Sequence, residues 1–334
     1  MFLATTHAHS TEMNNEPNTL APVVIFVYNR LKNTRQVVEA LQANDLASQT
    51  DVIVFSDAAK DERATASVAE VRAYLKTVTG FKSFTIIERP VNYYIERNIT
   101  EGVTEVVNRF GRIIVLEDDG VTAKNFLQFM NNALNFYDQH KRVMHIATFT
   151  YIDMPADFRK TFLWRYSENT GGGWATWKDR WEKFVWFQGE AEGLAGLSEE
   201  QKYRLELEGD FKCLGALKHT PIPWDICWYV AIIKNNGLSV NSPRALVKNN
   251  GLFNGTHLLP INRILGKHQL AVELDQSTQP IVFETVIEEN PQAIQKLKEF
   301  YGSYGKRKRD KVFNFFMKIL VTLKITKLAK RLLR

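Results

Sequence analysis

Ile113-Ile114-Val115-Leu116-Glu117-Asp118-Asp119-Gly120 sets four consecutive apolar residues directly before three acids and a glycine. An unbroken apolar run of this kind reads as a strand buried on both faces, the pattern of a parallel sheet covered by helices. The acids then fall where the strand ends and a turn begins. Adjacent carboxylates repel one another unless something cationic joins them. Hard divalent cations such as Mg²⁺ and Mn²⁺ choose carboxylate oxygens and keep open positions for water and phosphate. The blander use, Asp118 or Asp119 capping a helix that starts near Ala123, accounts for one acid and not for three.

Upstream, the same strand grammar repeats. Val23-Val24-Ile25-Phe26-Val27, Val52-Ile53-Val54-Phe55 and Phe84-Thr85-Ile86-Ile87 are β-rich runs. Between them lie helical spacings over Thr34 to Leu41, through Val68, Val71 and Leu75, and over about Ile99 to Phe110. Strands alternating with helices predict an α/β fold with a mostly parallel sheet flanked by helices. Ligands of such sheets bind at the carboxyl ends of the strands. The polar residues there are Asn29-Arg30, Ser56-Asp57, Arg89 with Asn92, and Glu117-Asp118-Asp119. A basic residue, an isolated acid and an acid triplet on one edge are what a nucleotide diphosphate with a metal needs. Arg97 and Asn98 open the helix leading into the acid strand and are candidates for the same ligand.

The second half changes character. Trp164, Trp174, Trp177, Trp181 and Trp186 crowd one stretch, with Gly171-Gly172-Gly173 among them. Trp181 and Trp186 read as core. Trp174, beside three glycines, is expected at the surface, where an indole face can stack on a sugar ring. Ser198 to Leu217 reads as helical and charged, Pro223-Trp224-Asp225-Ile226-Cys227-Trp228 follows, and Asn241 to His257 reads as loop. Asp225 between two indoles is either a cap at a helix start or a carboxylate whose pKa is raised enough to accept a proton at neutral pH. No repeat or Pro/Ser-rich linker separates the halves, which implies one shared core.

The composition, 45% hydrophobic and 24% charged, is that of a soluble globular protein. Cys213 and Cys227 cannot form a disulfide framework or a Cys-based zinc cluster and suit a reducing compartment. The net charge of +6 is uneven: Lys306 to Arg334 holds eleven Lys/Arg and one acid, so this segment carries +10 and the other 305 residues −4. A nucleic-acid enzyme would spread its basicity over the working face. Here the basicity belongs to a tail in which Val312, Phe315, Phe316, Ile319, Leu320 and Leu323 share one helical face, while Val321, Ile325, Leu328 and Leu332 lie nearly opposite. A basic amphipathic segment suits an anionic membrane surface. Met1 to Leu20 is polar and reads as a disordered lead-in. With no apolar run long enough to span a bilayer, the sequence predicts a cytoplasmic protein, peripheral on the inner membrane face.

Taken together, these segments resemble the GT-A glycosyltransferases, in particular N-acetylglucosaminyltransferase I and its bacterial relatives. The resemblance spans roughly residues 22 to 260. It implies a Rossmann-like GT-A domain with Asp119 as direct ligand of Mn²⁺ or Mg²⁺, Glu117 toward the ribose or base, and Asp118 supporting the donor sugar or metal shell. Asn29-Arg30 matches a pair whose Arg contacts the donor diphosphate, Asp57 an acid that accepts from the uracil N–H, and Asp225 the catalytic base. Trp174 and Trp224 fall on the acceptor side, and Asn249 to His257 resembles a loop closing over the donor, with His257 on the phosphates or the metal. The implied activity is inverting transfer from a nucleotide diphosphate sugar, UDP preferred, to a glycan or lipid-linked glycan hydroxyl. The expected organisation is a lead-in over 1–20, a nucleotide-sugar-binding half over 21–122, an acceptor half over 123–290 and a basic helical tail over 291–334.

Two other functions fit less well. A sugar nucleotidyltransferase needs a glycine-rich basic loop after the first strand, and Tyr28 to Thr34 contains no glycine. A non-catalytic carbohydrate-binding or membrane-adaptor protein has no use for the acids at 117 to 119.

Overall fold

The computed structural model describes residues 20–152, 154–167, 172–211, 213–218, 222–253, 272–277 and 279–308. The lead-in up to residue 19, His257 and the tail from residue 309 lie outside the described residues. The chain runs β1 (Val23–Val27), α1 (Leu31–Gln42), β2 (Asp51–Ser56), α2 (Glu62–Leu75), β3 (Ser83–Glu88), α3 (Tyr94–Phe110), β4 (Arg112–Glu117), β5 (Gly120–Thr122) and α4 (Phe126–Phe136). It continues through β6 (Val143–Ala147), β7 (Phe162–Trp164), β8 (Gly172–Trp177), α5 (Lys178–Trp181), α6 (Glu190–Leu194), α7 (Glu199–Leu205), α8 (Trp224–Lys234), β9 (Leu238–Asn241) and β10 (Val247–Asn249), before a last helix, Pro291–Lys308.

Eight strands form one sheet in the order β3-β2-β1-β4-β8-β6-β9-β7. The first four strands are mutually parallel, as the apolar runs predict. Side chains alternate between two packed layers. Val23, Ile25, Val27, Val52 and Val54 meet α1, α2 and α4, whereas Val24, Phe26, Ile53 and Phe55 meet α3, α5 and α8. Covering both faces explains why these strands are continuously apolar, and each such side chain, fully buried, contributes about 1.5–3 kcal/mol.

The sequence reading stops short in the second half. Gly172–Trp177 is the buried strand β8, antiparallel to both β4 and β6. Trp174 is 0% exposed, which corrects its expected place at the surface. Its ring stacks between those of His145, Trp181 and Trp224 at 5.5, 5.9 and 5.5 Å. The neighbouring glycines serve close approach: a Cβ on Gly172 would lie 2.6 Å from the backbone of Leu116 and Glu117, and Gly172 has φ +79°. The expected helix over Ser198 to Leu217 is also broken. Ser198 caps α7 through a capping box with Gln201, but Leu207 and Glu208 then take positive φ. Glu208 thereby reaches Arg165 and Lys298, while Arg165 also clasps Glu289. In the expected loop from Asn241, β10 pairs with β5. Among the described residues no helix is long and apolar enough to cross a membrane.

Since Gly172 abuts backbone and holds a left-handed conformation, Gly172→Ala is expected to lower unfolding stability by about 3 kcal/mol. Urea denaturation followed by far-UV circular dichroism measures this, and a loss below about 1 kcal/mol would contradict the close-approach account.

Candidate functional site

Parallel pairing brings the ends of β1, β2, β3 and β4 to one edge. Phe26 is in register with Glu117, Val27 with Ser56, and Ser56 with Glu88. Arg30 therefore emerges beside Asp118 and Asp119, with Asn29 next to it and Asp57 one strand away. Neither Asp118 nor Asp119 caps a helix, because β5 intervenes and α4 begins only at Phe126 after Asn125.

Arg30 sits at the cap position of α1 but cannot cap it, and its side chain crosses to the acids instead. Its Nε donates to Asp118 Oδ2 at 3.0 Å, and its Nη2 donates to Asp118 Oδ1 and, at 3.1 Å, to Asp119 Oδ2. A fork gripping one carboxylate and reaching a second is the charge-assisted geometry to which a guanidinium is suited. The backbone N–H of Tyr28 also serves Asp118. Burial nevertheless raises all three acids. Desolvation, then the charges of Asp119 and Asp118, push Glu117 well above the usual carboxylate range. Asp118 is pushed up to about 6 by burial against the pull of Arg30, and Asp119 is raised in the same way. Burial weakens the Arg30 charge, but Asp118 and Asp119 outweigh it and hold the guanidinium above its ordinary range.

A buried carboxylate oxygen without a partner is costly, and among the described residues Asp119 Oδ1 has no hydrogen bond. The returning chain covers this acid: Asn250 N donates to the Asp119 carbonyl at 2.8 Å. A Cβ on Gly251 would come within 2.1 Å of Asp119 Oδ2 and 2.9 Å of Arg30 Nη1. Among the described residues no group of three His, Cys, Asp or Glu side chains forms an all-protein metal cage. The donor set fits a divalent cation of another kind, bound through one free carboxylate oxygen and completed by water and phosphate.

Asp225 lies in the first turn of α8, where Pro223 holds the cap position. Its Oδ1 accepts from the adjacent Ile226 N at 2.9 Å. Burial raises its pKa, Glu96 adds to the rise, and the Ile226 N–H opposes it. The charge of Asp225 is the last of the contributions that raise Glu117. Behind it Trp224 is buried against Trp174, a wall of the core more than an exposed platform.

Other expected residues are differently engaged. Arg97 pairs with Glu101 at 2.6 Å on its own helix and lies over the Tyr93 ring. Asn98 is buried and accepts from Arg89 Nε at 3.0 Å. Asp57 is buried and raised by desolvation, against N–H bonds from Tyr93 at 2.8 Å and Ala58 at 2.9 Å. Two contributions had no sequence signal: Arg72, which donates to the carbonyls of Ser56, Asp57 and Arg89 at 3.1–3.4 Å, and Glu96, felt by Asp225. Arg89 follows its strand as Arg30 does, and that parallel was available from position alone. A cavity of about 430 Å³ lined by Arg89, Thr100, Glu101, Thr104, Glu105 and Phe184 contains none of the acids.

Residues 23–184 match the family model described as glycosyl transferase family 2. Similar solved structures include S. aureus TarS, at 13% identity and TM-score 0.40, covering 68% of this chain and 36% of that one. They also include the mannosyltransferase PcManGT from Pyrobaculum calidifontis in complex with GDP-Man and Mn²⁺, at 13% identity and TM-score 0.37, covering 65% and 70%. The chain thus spans about a third of the length of TarS. No curated protein matches it.

The raised pKa of Asp225 makes a stability prediction. An acid whose folded pKa exceeds its unfolded value favours folding fully below the unfolded value, and loses that contribution as pH rises through the folded one. Asp225→Asn is expected to raise the melting temperature at pH 7.5 and to give no gain near pH 3.5, below the ordinary Asp pKa. A variant less stable than the parent at pH 7.5 would contradict the desolvated carboxylate.

Proposed function

We propose that this chain, a glycosyltransferase of GT-A fold, moves a sugar from a nucleotide diphosphate donor, UDP preferred, to a hydroxyl of a glycan or lipid-linked glycan with inversion at the transferred carbon. The observation that carries this reading is the edge itself: acids at 117 to 119 gathered with Arg30 at the carboxyl ends of parallel strands, within electrostatic reach of Asp225.

Inversion needs a base beside the acceptor hydroxyl and a stabilised leaving group on the opposite face of the sugar. Asp225 takes the hydroxyl proton onto a carboxylate oxygen as the acceptor oxygen bonds to the sugar carbon, and its raised pKa brings it nearer neutrality, where a base works best. Arg30 carries the charge needed at the departing diphosphate. Asp119 would hold Mn²⁺ or Mg²⁺, which when bound would neutralise charge developing on the leaving phosphates. Glu117 lies toward the ribose or base and Asp118 keeps Arg30 aimed. Asp57 receives the uracil N–H, and Asn29 lines the same edge. His257, Arg97, Asn98 and Trp224 are proposed only from their sequence positions.

The +10 charge of Lys306 to Arg334 with its apolar positions supports docking on an anionic membrane face, where a lipid-linked acceptor would be presented. The full chain is expected to sediment with vesicles containing phosphatidylglycerol, and a chain ending at residue 305 to stay in the supernatant. Equal sedimentation of both would remove the docking role.

Calorimetry with UDP is expected to show binding that Mn²⁺ strengthens in the parent and not in Asp119→Ala. Asp225→Asn is expected to lower turnover about 10²–10⁴-fold with little change in donor binding. Donor binding indifferent to Asp119→Ala, or full turnover in Asp225→Asn, would defeat the assignment.

A further inference from the structure

Arg30 stands where a cation is needed. It donates to both carboxyl oxygens of Asp118 and to Oδ2 of Asp119, and among the described residues Asp119 Oδ1 is left without a partner. Gly251 lies against both members, so close that a side chain there would overlap Asp119 Oδ2 and crowd Arg30 Nη1. Arg30 thus offsets part of the charge of the two acids, and Gly251 covers the pair.

A divalent ion on Asp119 and a guanidinium on the same carboxylates would repel each other at a desolvated edge, where charge interactions are strong. Both can be accommodated once another anion draws Arg30 away, and a diphosphate is the anion for which an arginine fork is suited. We infer that Arg30 is an internal counter-ion that competes with the metal for Asp118 and Asp119 and releases them only when it transfers to the donor diphosphate. This deepens the reading given above, on which it rests. The donor-free protein then binds metal weakly, and a metal ion does not close the site before a donor arrives.

Loss of Arg30 should act with opposite sign on the two ligands, whereas a merely structural role would weaken both. Titration calorimetry of the full chain with MnCl₂ alone, and separately with UDP or GDP alone, reads this directly. Arg30→Gln is expected to bind Mn²⁺ alone about tenfold more tightly than the parent, within the range usual for coupled sites, and to bind the nucleotide diphosphate more weakly. Its melting temperature should rise more on adding Mn²⁺ than the parent's does, since the metal replaces the missing counter-ion. Arg30→Lys, which keeps the charge but loses the fork, should lie between the two and serves if Arg30→Gln does not fold. A folded Arg30 variant that binds Mn²⁺ alone no more tightly than the parent overturns the competition while leaving the metal site intact. Absence of Mn²⁺ binding in the parent even with UDP or GDP present, matching Asp119→Asn, would instead overturn the metal reading and this inference with it.

Discussion

Two aspartates out of water at the end of a buried strand are tolerable only because a guanidinium reaches them from the next strand. Taking one member from a buried pair commonly costs about 3–5 kcal/mol, because the remaining charge is left uncompensated. Here the compensation depends on register. β1 and β4 are parallel and adjacent, Phe26 stands opposite Glu117, and so the residue four beyond Phe26 can meet the residues one and two beyond Glu117. The apolar runs of both strands create the dry edge, and the same edge makes the ion pairs strong. Fold and site chemistry are in this sense one constraint.

That connection explains why the first half was legible. Four β-rich runs with helical spacing between them have one common solution, and the strand boundaries found at Val23–Val27, Asp51–Ser56, Ser83–Glu88 and Arg112–Glu117 follow the apolar residues closely. Polar residues after parallel strands share an edge by topology, so Arg30, Asp57 and the acid triplet could be named without coordinates. What position could not reveal was which groups already bind each other. Asn98 is engaged by Arg89, Arg97 by Glu101, and Arg72 ties three carbonyls at the ends of β2 and β3. Such long side chains reach wherever packing lets them, and no spacing rule records it.

The second half resisted for a different reason. β8 is antiparallel and buried on both faces, and its sequence, Gly-Gly-Trp-Ala-Thr-Trp, has neither a β-branched apolar run nor a polar alternation. Glycine before tryptophan suggests an exposed turn, yet glycine is required here because β8 approaches the backbone of Leu116 and Glu117 too closely for a Cβ. Trp174 is thus fixed inside the core by the same contact that places its strand against the acid-bearing one. Its value to the site is mechanical: with Trp181 it forms the wall against which Trp224 and Trp228 of α8 pack.

The wall also bears on how Asp225 can act. A carboxylate in the first turn of a helix is favoured by the helix dipole, which by itself would lower its pKa and make it a poor base. Burial opposes this and prevails, and the nearby Glu96 acts in the same direction. Trp224 and Trp228, buried on either side of Asp225 in the chain, hold the first turn of α8 against the core. Trp174, expected at the surface as a face for a sugar ring, instead belongs to a buried cluster that contributes through the desolvation and placement of the neighbouring acid. A polar replacement in that wall would lessen the desolvation that raises Asp225 while leaving Arg30 and Asp119, which follow β1 and β4, in place, so the proposed base and the proposed metal-binding edge are separable parts of one candidate site.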